Sequence, residues 1–153
     1  MIEVEETSDF IRLMLQGVQG RSQPALDNLY RKHEEVFPYQ AEVTRRFHVV
    51  MDKIDGSLGG DLSSMAFSRR GLFETLFTFY YDLLFSLKSP LKRVKVKVLP
   101  STAAIAIRRA SDRIISGDLS EELAKVLRGA TGNKGSREIR LKFLQGIFGR
   151  VKS

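Results

Sequence analysis

The stretch from Arg69 to Leu87 (RRGLFETLFTFYYDLLFSL) limits what this chain can become more than any other. Leu72, Phe73, Leu76, Phe77, Tyr80, Leu83, Leu84 and Leu87 recur at three- and four-residue spacing, the period of one helix face. Phe79, Tyr81 and Phe85 carry apolar surface round the other sides. A helix that is apolar almost all round either spans a membrane or forms the centre of a bundle. A span needs about 20 mostly uncharged residues, and Glu74 and Asp82 interrupt this one. The stretch therefore predicts a buried central helix in a chain without a membrane segment, its two carboxylates emerging on one narrow polar strip.

The flanking segments supply helices to surround it. Thr7-Ser8-Asp9 offers an N-cap to a first helix using Phe10, Leu13 and Met14, with Gly20 as its stop. Gln23-Pro24 opens a second, with Ala25, Leu26, Leu29, Tyr30, Val36 and Phe37. Pro38 ends that run and opens a third through Val43, Phe47, Val50, Met51 and Ile54. Asp55 to Ser68 (DGSLGGDLSSMAFS) is rich in Gly and Ser and reads as a loop. Ser89 to Pro100 (SPLKRVKVKVLP) alternates valine with lysine at period two, the pattern of extended chain. With no sheet to join, it is expected to be a basic extended connector or a small edge hairpin. Three more helices follow, one opened by Pro100-Ser101, one by Leu119-Ser120-Glu121-Glu122 and one by Gly135-Ser136. The expectation is an all-α single domain over residues 1–153, a bundle of about seven helices around the Phe/Leu-rich fourth.

Charge is distributed unevenly along this frame. Residues 1–85 carry 9 Lys/Arg against 13 Asp/Glu, whereas residues 86–153 carry 16 against 5, so the C-terminal half alone is at +11. An asymmetry of that size points to a surface that meets a polyanion or an acidic partner. The chain has no Cys, which removes disulfides, thiolate-zinc sites and a thiol nucleophile. The acidic start MIEVEETSDF does not read as a signal peptide, so a cytoplasmic location is expected.

Residues arranged for chemistry are few. His33 and His48 fall on different helices without shared ligand spacing, and no metal or cofactor is expected. The segment Gly129 to Ser136 (GATGNKGS) departs from a P-loop because its Lys precedes the last Gly and no strand precedes it. It allows a more modest site: Ser136 capping a helix whose first turns carry Arg137 and Arg140, with Lys134 upstream, could hold one backbone phosphate. The carboxylate pairs Glu34-Glu35 and Glu121-Glu122 diverge by about 100° on a helix and cannot converge on one atom. No catalytic motif is present. The remaining candidates are basic: Lys92, Arg93, Lys95 and Lys97 in the connector, the doublets Arg45-Arg46 and Arg108-Arg109, and Arg113, Lys125, Arg128, Lys142 and Arg150. Together they read as a ridge that could track a nucleic-acid backbone by electrostatics, with no base-reading module in evidence.

Three stretches, Ala25–Ile54, Phe67–Phe85 and Leu127–Phe148, carry aromatic-rich helices and an Ala-Thr…Arg-x-x-Arg…Phe-Leu ending. In these the chain resembles the helical region following the ParB/sulfiredoxin-like N-terminal domain in a large prokaryotic family. That family includes modification-dependent restriction and anti-phage defence proteins. Its chemistry belongs to the N-terminal domain and an Asp-Gly-x-Gln-Arg type motif, for which Asp55-Gly56-Ser57-Leu58 is no substitute. The resemblance thus implies a helical accessory part that binds DNA or docks a catalytic domain or partner subunit. It carries over Arg137 and Arg140 as candidate contacts and Phe143 as packing.

Taken together, the expected function is a non-catalytic accessory domain binding nucleic-acid backbone, DNA ahead of RNA. Its candidate contacts are Lys92, Arg93, Lys95, Lys97, Arg108, Arg109, Lys134, Arg137 and Arg140. The alternative is a protein-interaction or oligomerisation module in which exposed parts of the Phe-rich helix and the acidic N-terminal half dock a partner or a second copy.

Overall fold

The computed structural model describes residues 4–20, 39–129 and 132–152. Six α-helices stand among them: α1 (Val4–Gln16), α2 (Gln40–Leu58), α3 (Arg70–Phe85), α4 (Thr102–Ser116), α5 (Glu121–Gly129) and α6 (Lys134–Lys152). No strand occurs among the described residues. The all-α bundle is as expected, with six helices against about seven; the helix expected over 24–37 lies outside the described residues.

α3 is the centre. Leu72, Leu76, Phe77, Tyr80, Tyr81 and Leu84 are fully buried, and Phe79 and Phe85 nearly so. α1 lays Phe10 flat on Phe77, ring centroids 4.1 Å apart and planes within 14°, while Phe47 of α2 tilts against both. On another side Phe148 of α6 meets Phe79 edge-on at 5.5 Å. Offset and edge contacts of this kind favour the ring quadrupoles as well as burying area. α4 buries Ala103, Ala106 and Ala110 completely, and its most extensive neighbour is α6. No helix among the described residues is long and apolar enough to cross a membrane.

Several local expectations are corrected. α1 begins at Val4 rather than being capped at Thr7-Ser8-Asp9, so Asp9 sits inside the helix and is buried. It ends at Gly17, whose φ of +78° suits glycine, and not at Gly20. Asp55 to Ser68 is not a loop: α2 runs on to Leu58, and two 3-10 turns, Gly59–Ser64 and Ala66–Ser68, follow. The reason is burial. Ile54 and Leu58 continue the inner row of Val43 and Val50, which outweighs the roughly 1 kcal/mol that Gly56 costs in a helix interior. Glu74 does not emerge on a polar strip but turns into the bundle, its side chain 13% exposed beside Arg137. Asp82 accepts the Leu87 N–H at 3.0 Å beyond the end of α3.

Two glycines separate helix from turn experimentally. Gly56 lies mid-helix with no atom near an added Cβ, so Gly56→Ala is expected to stabilise by about 0.5–1 kcal/mol. Gly59, at φ +57°, ends the helix, and Gly59→Ala is expected to destabilise by about 1 kcal/mol. Chemical denaturation of both variants checks the pair. A stabilising effect at both positions contradicts the helix boundary.

Candidate nucleic-acid interface

The connector between α3 and α4 turns over residues 86–92 and runs without regular structure from Arg93 to Pro100, and a buried arginine sets its position. Arg46 of α2 is fully buried, so its charge needs protein partners in place of water. Its Nη1 donates to the Tyr81 hydroxyl at 2.9 Å. Its Nη2 donates to the carbonyls of Pro90 at 2.7 Å and Lys92 at 2.9 Å, and its Nε to Glu42 Oε1 at 2.8 Å. The ring of Phe85 lies 4.9 Å from its Cζ, a cation-π contact in a desolvated setting. The neighbouring Arg45 forks onto both oxygens of Glu42 and reaches the Val94 carbonyl at 3.0 Å. These two guanidinium groups turn the connector carbonyls inward.

Side chains follow from that arrangement. Val94 and Val96 pack on the core, while Lys92, Arg93, Lys95 and Lys97 are exposed, as is Lys88. The alternating burial from Arg93 to Lys97 is the two-residue period of extended chain. The backbone N–H of Lys97 donates to the Leu84 carbonyl at 3.0 Å, and its ammonium donates to Ser86 Oγ. No acidic residue occurs between Asp82 and Asp112 in the sequence, so the row has no carboxylate of its own segment to neutralise it.

Glu42 holds its carboxyl below the usual range, chiefly through the Arg45 hydrogen bond, with Arg46 adding to it against the opposing effect of burial. Burial pushes the Tyr81 hydroxyl up, opposed by the Arg46 hydrogen bond, so it stays protonated as an acceptor for Arg46.

The other expected contacts lie elsewhere. Lys134 is exposed at the start of α6 and shares the wall of a groove with Lys88, which brings it towards the connector. Arg108 is half-buried on α4 and paired with Asp61 at 2.8 Å; Arg109 is exposed on the same helix. Arg137 and Arg140 are not surface contacts: α6 turns both inward, where they are 8% and 1% exposed. Arg137 bonds Asp9 at 3.2 Å and the Gln19 carbonyl at 2.9 Å, with Glu74 at 4.0 Å. Arg140 donates to Thr75 Oγ1 at 3.2 Å and to the Val126 carbonyl at 3.3 Å. The single-phosphate site built on them is corrected in its cap as well. Asn133, not Ser136, caps α6, its Oδ1 accepting the Ser136 N–H at 2.8 Å. Phe143 does pack, under the Arg113 guanidinium at 5.3 Å.

This interior network deserves weighing as an active site, because it gathers two carboxylates, two arginines and two threonines. Burial raises the Glu74 carboxyl, with Arg137 and the Thr78 hydrogen bond opposing it, and burial lowers the Arg140 guanidinium. The space beside Asp9, Glu74 and Arg137 is only about 10 Å³, room for no more than a single water. It is a polar tie between α1, α3 and α6. His48 is exposed on α2, and no group of three metal-binding side chains occurs among the described residues; His33 lies outside them. No known family, curated protein or solved structure matches the chain.

The role of Arg46 was open to detection in the sequence. It falls three residues after Val43 and four before Val50, on the apolar row of its own helix, and a cation there signals a buried partner set.

Arg46→Ala is expected to cost about 3–5 kcal/mol, since Glu42 loses a partner and three further acceptors are left facing a void. Denaturant unfolding reads the cost, and faster amide exchange at Lys97 reads release of the connector. Glu42→Gln tests the acid side. Because the folded pKa of Glu42 is depressed, its contribution is present above the ordinary carboxylate range and is lost as pH falls through the folded value. The stability gap between wild type and Glu42→Gln should therefore narrow steadily below pH 5 or so; a gap that is constant with pH rules the assignment out.

Proposed function

We propose that this protein is a non-catalytic domain that binds nucleic-acid backbone through the connector between α3 and α4. The observation that carries the reading is the exposed row Lys88, Lys92, Arg93, Lys95 and Lys97, held against the bundle by Arg45 and Arg46. Cations on a pre-set frame lose less conformational freedom on binding than cations on a loose tail. Each phosphate they neutralise releases condensed counterions, which supplies sequence-independent affinity. The resemblance to helical regions of restriction and anti-phage proteins supports an accessory role beside a catalytic domain or subunit, with DNA as the polyanion. A cytoplasmic setting belongs to the same proposal.

A docking module is the second reading. Among the described residues of α3, every apolar side chain is buried or half-buried, so the Phe-rich helix itself has little to offer a partner. Ile105 and Ile115 on α4, Ile139 on α6, and Val98 and Tyr39 outside the helices are exposed and offer a protein contact or a second copy its apolar purchase.

Binding to a short labelled DNA across a salt series tests the leading reading. If Lys92, Arg93, Lys95 and Lys97 each meet one phosphate, log affinity falls with log salt at a slope of about −3 to −4. Reversing all four to Glu should abolish binding while the far-ultraviolet dichroism and melting temperature stay near wild type. Arg137→Ala is expected to lower stability and leave the salt slope unchanged. Salt-independent binding, or undiminished binding by the four-fold reversal, removes the connector from the interface; a mass that doubles with concentration and no DNA binding favours the docking reading.

A further inference from the structure

We infer that Ser86 is a positioning residue that sets the ammonium of Lys97 for a ligand phosphate, an inference that rests on the backbone-binding reading above. Ser86 stands at the neck of the connector, half-buried just past the end of α3. Its φ is +75° with ψ at 133°, close to a backbone region that is essentially reserved for glycine. Among the described residues it is the one non-glycine with positive φ, the others being Gly17, Gly59 and Gly117. Strain of this kind persists only where surrounding contacts hold it. Here the Ser86 N–H donates to the Asp82 carbonyl at 3.0 Å, and the Ser89 N–H to the Ser86 carbonyl at 3.0 Å. The Leu87 N–H is fixed on Asp82 Oδ1.

These bonds fix the backbone and do not account for a serine, because a glycine would make the main-chain ones without strain. The hydroxyl does what a glycine cannot. It accepts a hydrogen bond from the ammonium of Lys97, eleven residues on. The Lys97 N–H meanwhile donates to the Leu84 carbonyl at 3.0 Å. Backbone and side chain of Lys97 are thus both anchored at the end of α3, while the residue stays exposed. An ammonium has three N–H donors, so the bond to Ser86 leaves two for a phosphate oxygen. A lysine already held in place loses less rotamer freedom when a ligand arrives.

Ser86→Gly, Ser86→Ala and Lys97→Met test the assignment. Thermal melting reads the strain. Alanine is ordinarily the more stable of an Ala/Gly pair; at a strained positive φ the order inverts, and Ser86→Gly should melt about 2–4 °C above Ser86→Ala. Fluorescence anisotropy with a short labelled duplex and a labelled oligo-dT across a salt series reads the positioning. On whichever DNA the wild type binds, Ser86→Gly should weaken binding about two- to ten-fold. The salt slope should stay unchanged, because Lys97 still displaces its counterions but must first be ordered. Ser86→Ala, which lacks the same hydroxyl, should bind as weakly. Lys97→Met should flatten the slope by about 0.7–0.9, and adding Ser86→Gly to it should weaken binding no further. A merely structural role predicts binding that follows stability, with Ser86→Gly equal to wild type; that result overturns the inference. So does a full Ser86→Gly effect in the Lys97→Met background, or Ser86→Ala melting above Ser86→Gly. Each of these leaves the backbone reading standing, whereas failure of the wild type to bind either DNA at low salt overturns that reading and the inference with it.

Discussion

A guanidinium group without water must be paired by protein, and the pairing of Arg46 organises the junction of α2, α3 and the connector. Four hydrogen bonds and an aromatic face surround it, drawn from α2, from α3 and from the connector. Removing Glu42 leaves Arg46 a buried charge without its counter-ion, a cost of several kcal/mol. The connector therefore cannot drift from the bundle without disturbing the junction of two helices. Its lysines gain a fixed direction from a residue that never reaches the surface.

The basic surplus of the chain divides into two populations with different work. Arg46, Arg137 and Arg140 are interior, each tying segments distant in sequence: α2 to the connector, α1 to α6, and α6 to α3 and α5. Arg45 and Arg108 are held by Glu42 and Asp61. The exposed cations are the connector row and, scattered elsewhere, Lys53, Arg69, Arg70, Arg109, Lys125, Arg128, Lys134, Lys142, Arg150 and Lys152. Net charge overstates the exposed basic surface, because a formal count treats a desolvated, paired arginine and an exposed lysine alike.

Much of the fold was legible because one physical rule, burial of apolar stripes, governs it. The central helix, the basic connector and the starts of α4 and α5 all follow from spacing and caps. The failures have a common cause. The Gly- and Ser-rich run after Ile54 reads as a loop by local propensity, yet Leu58 holds the helix on the core and tertiary burial overrides the propensity. Arg137 and Arg140 read as phosphate contacts because charged side chains are seldom buried; Asp9, Glu74 and Thr75, distant in sequence, supply the pairing that makes burial possible.

The sequence by itself determined that this chain is an all-α domain built on one apolar helix, and that its positive charge lies towards the C-terminal side. Both are one-dimensional properties, set by periodicity and composition. Only the tertiary structure decided which cations are available, since that depends on carboxylates, hydroxyls and carbonyls brought together from remote positions. Glu42 lies only a few residues from Arg46, but Tyr81, Pro90 and Lys92 lie more than thirty residues further on. The choice between a buried tie and a surface contact is made by whether those partners converge, and convergence is a property of the folded chain.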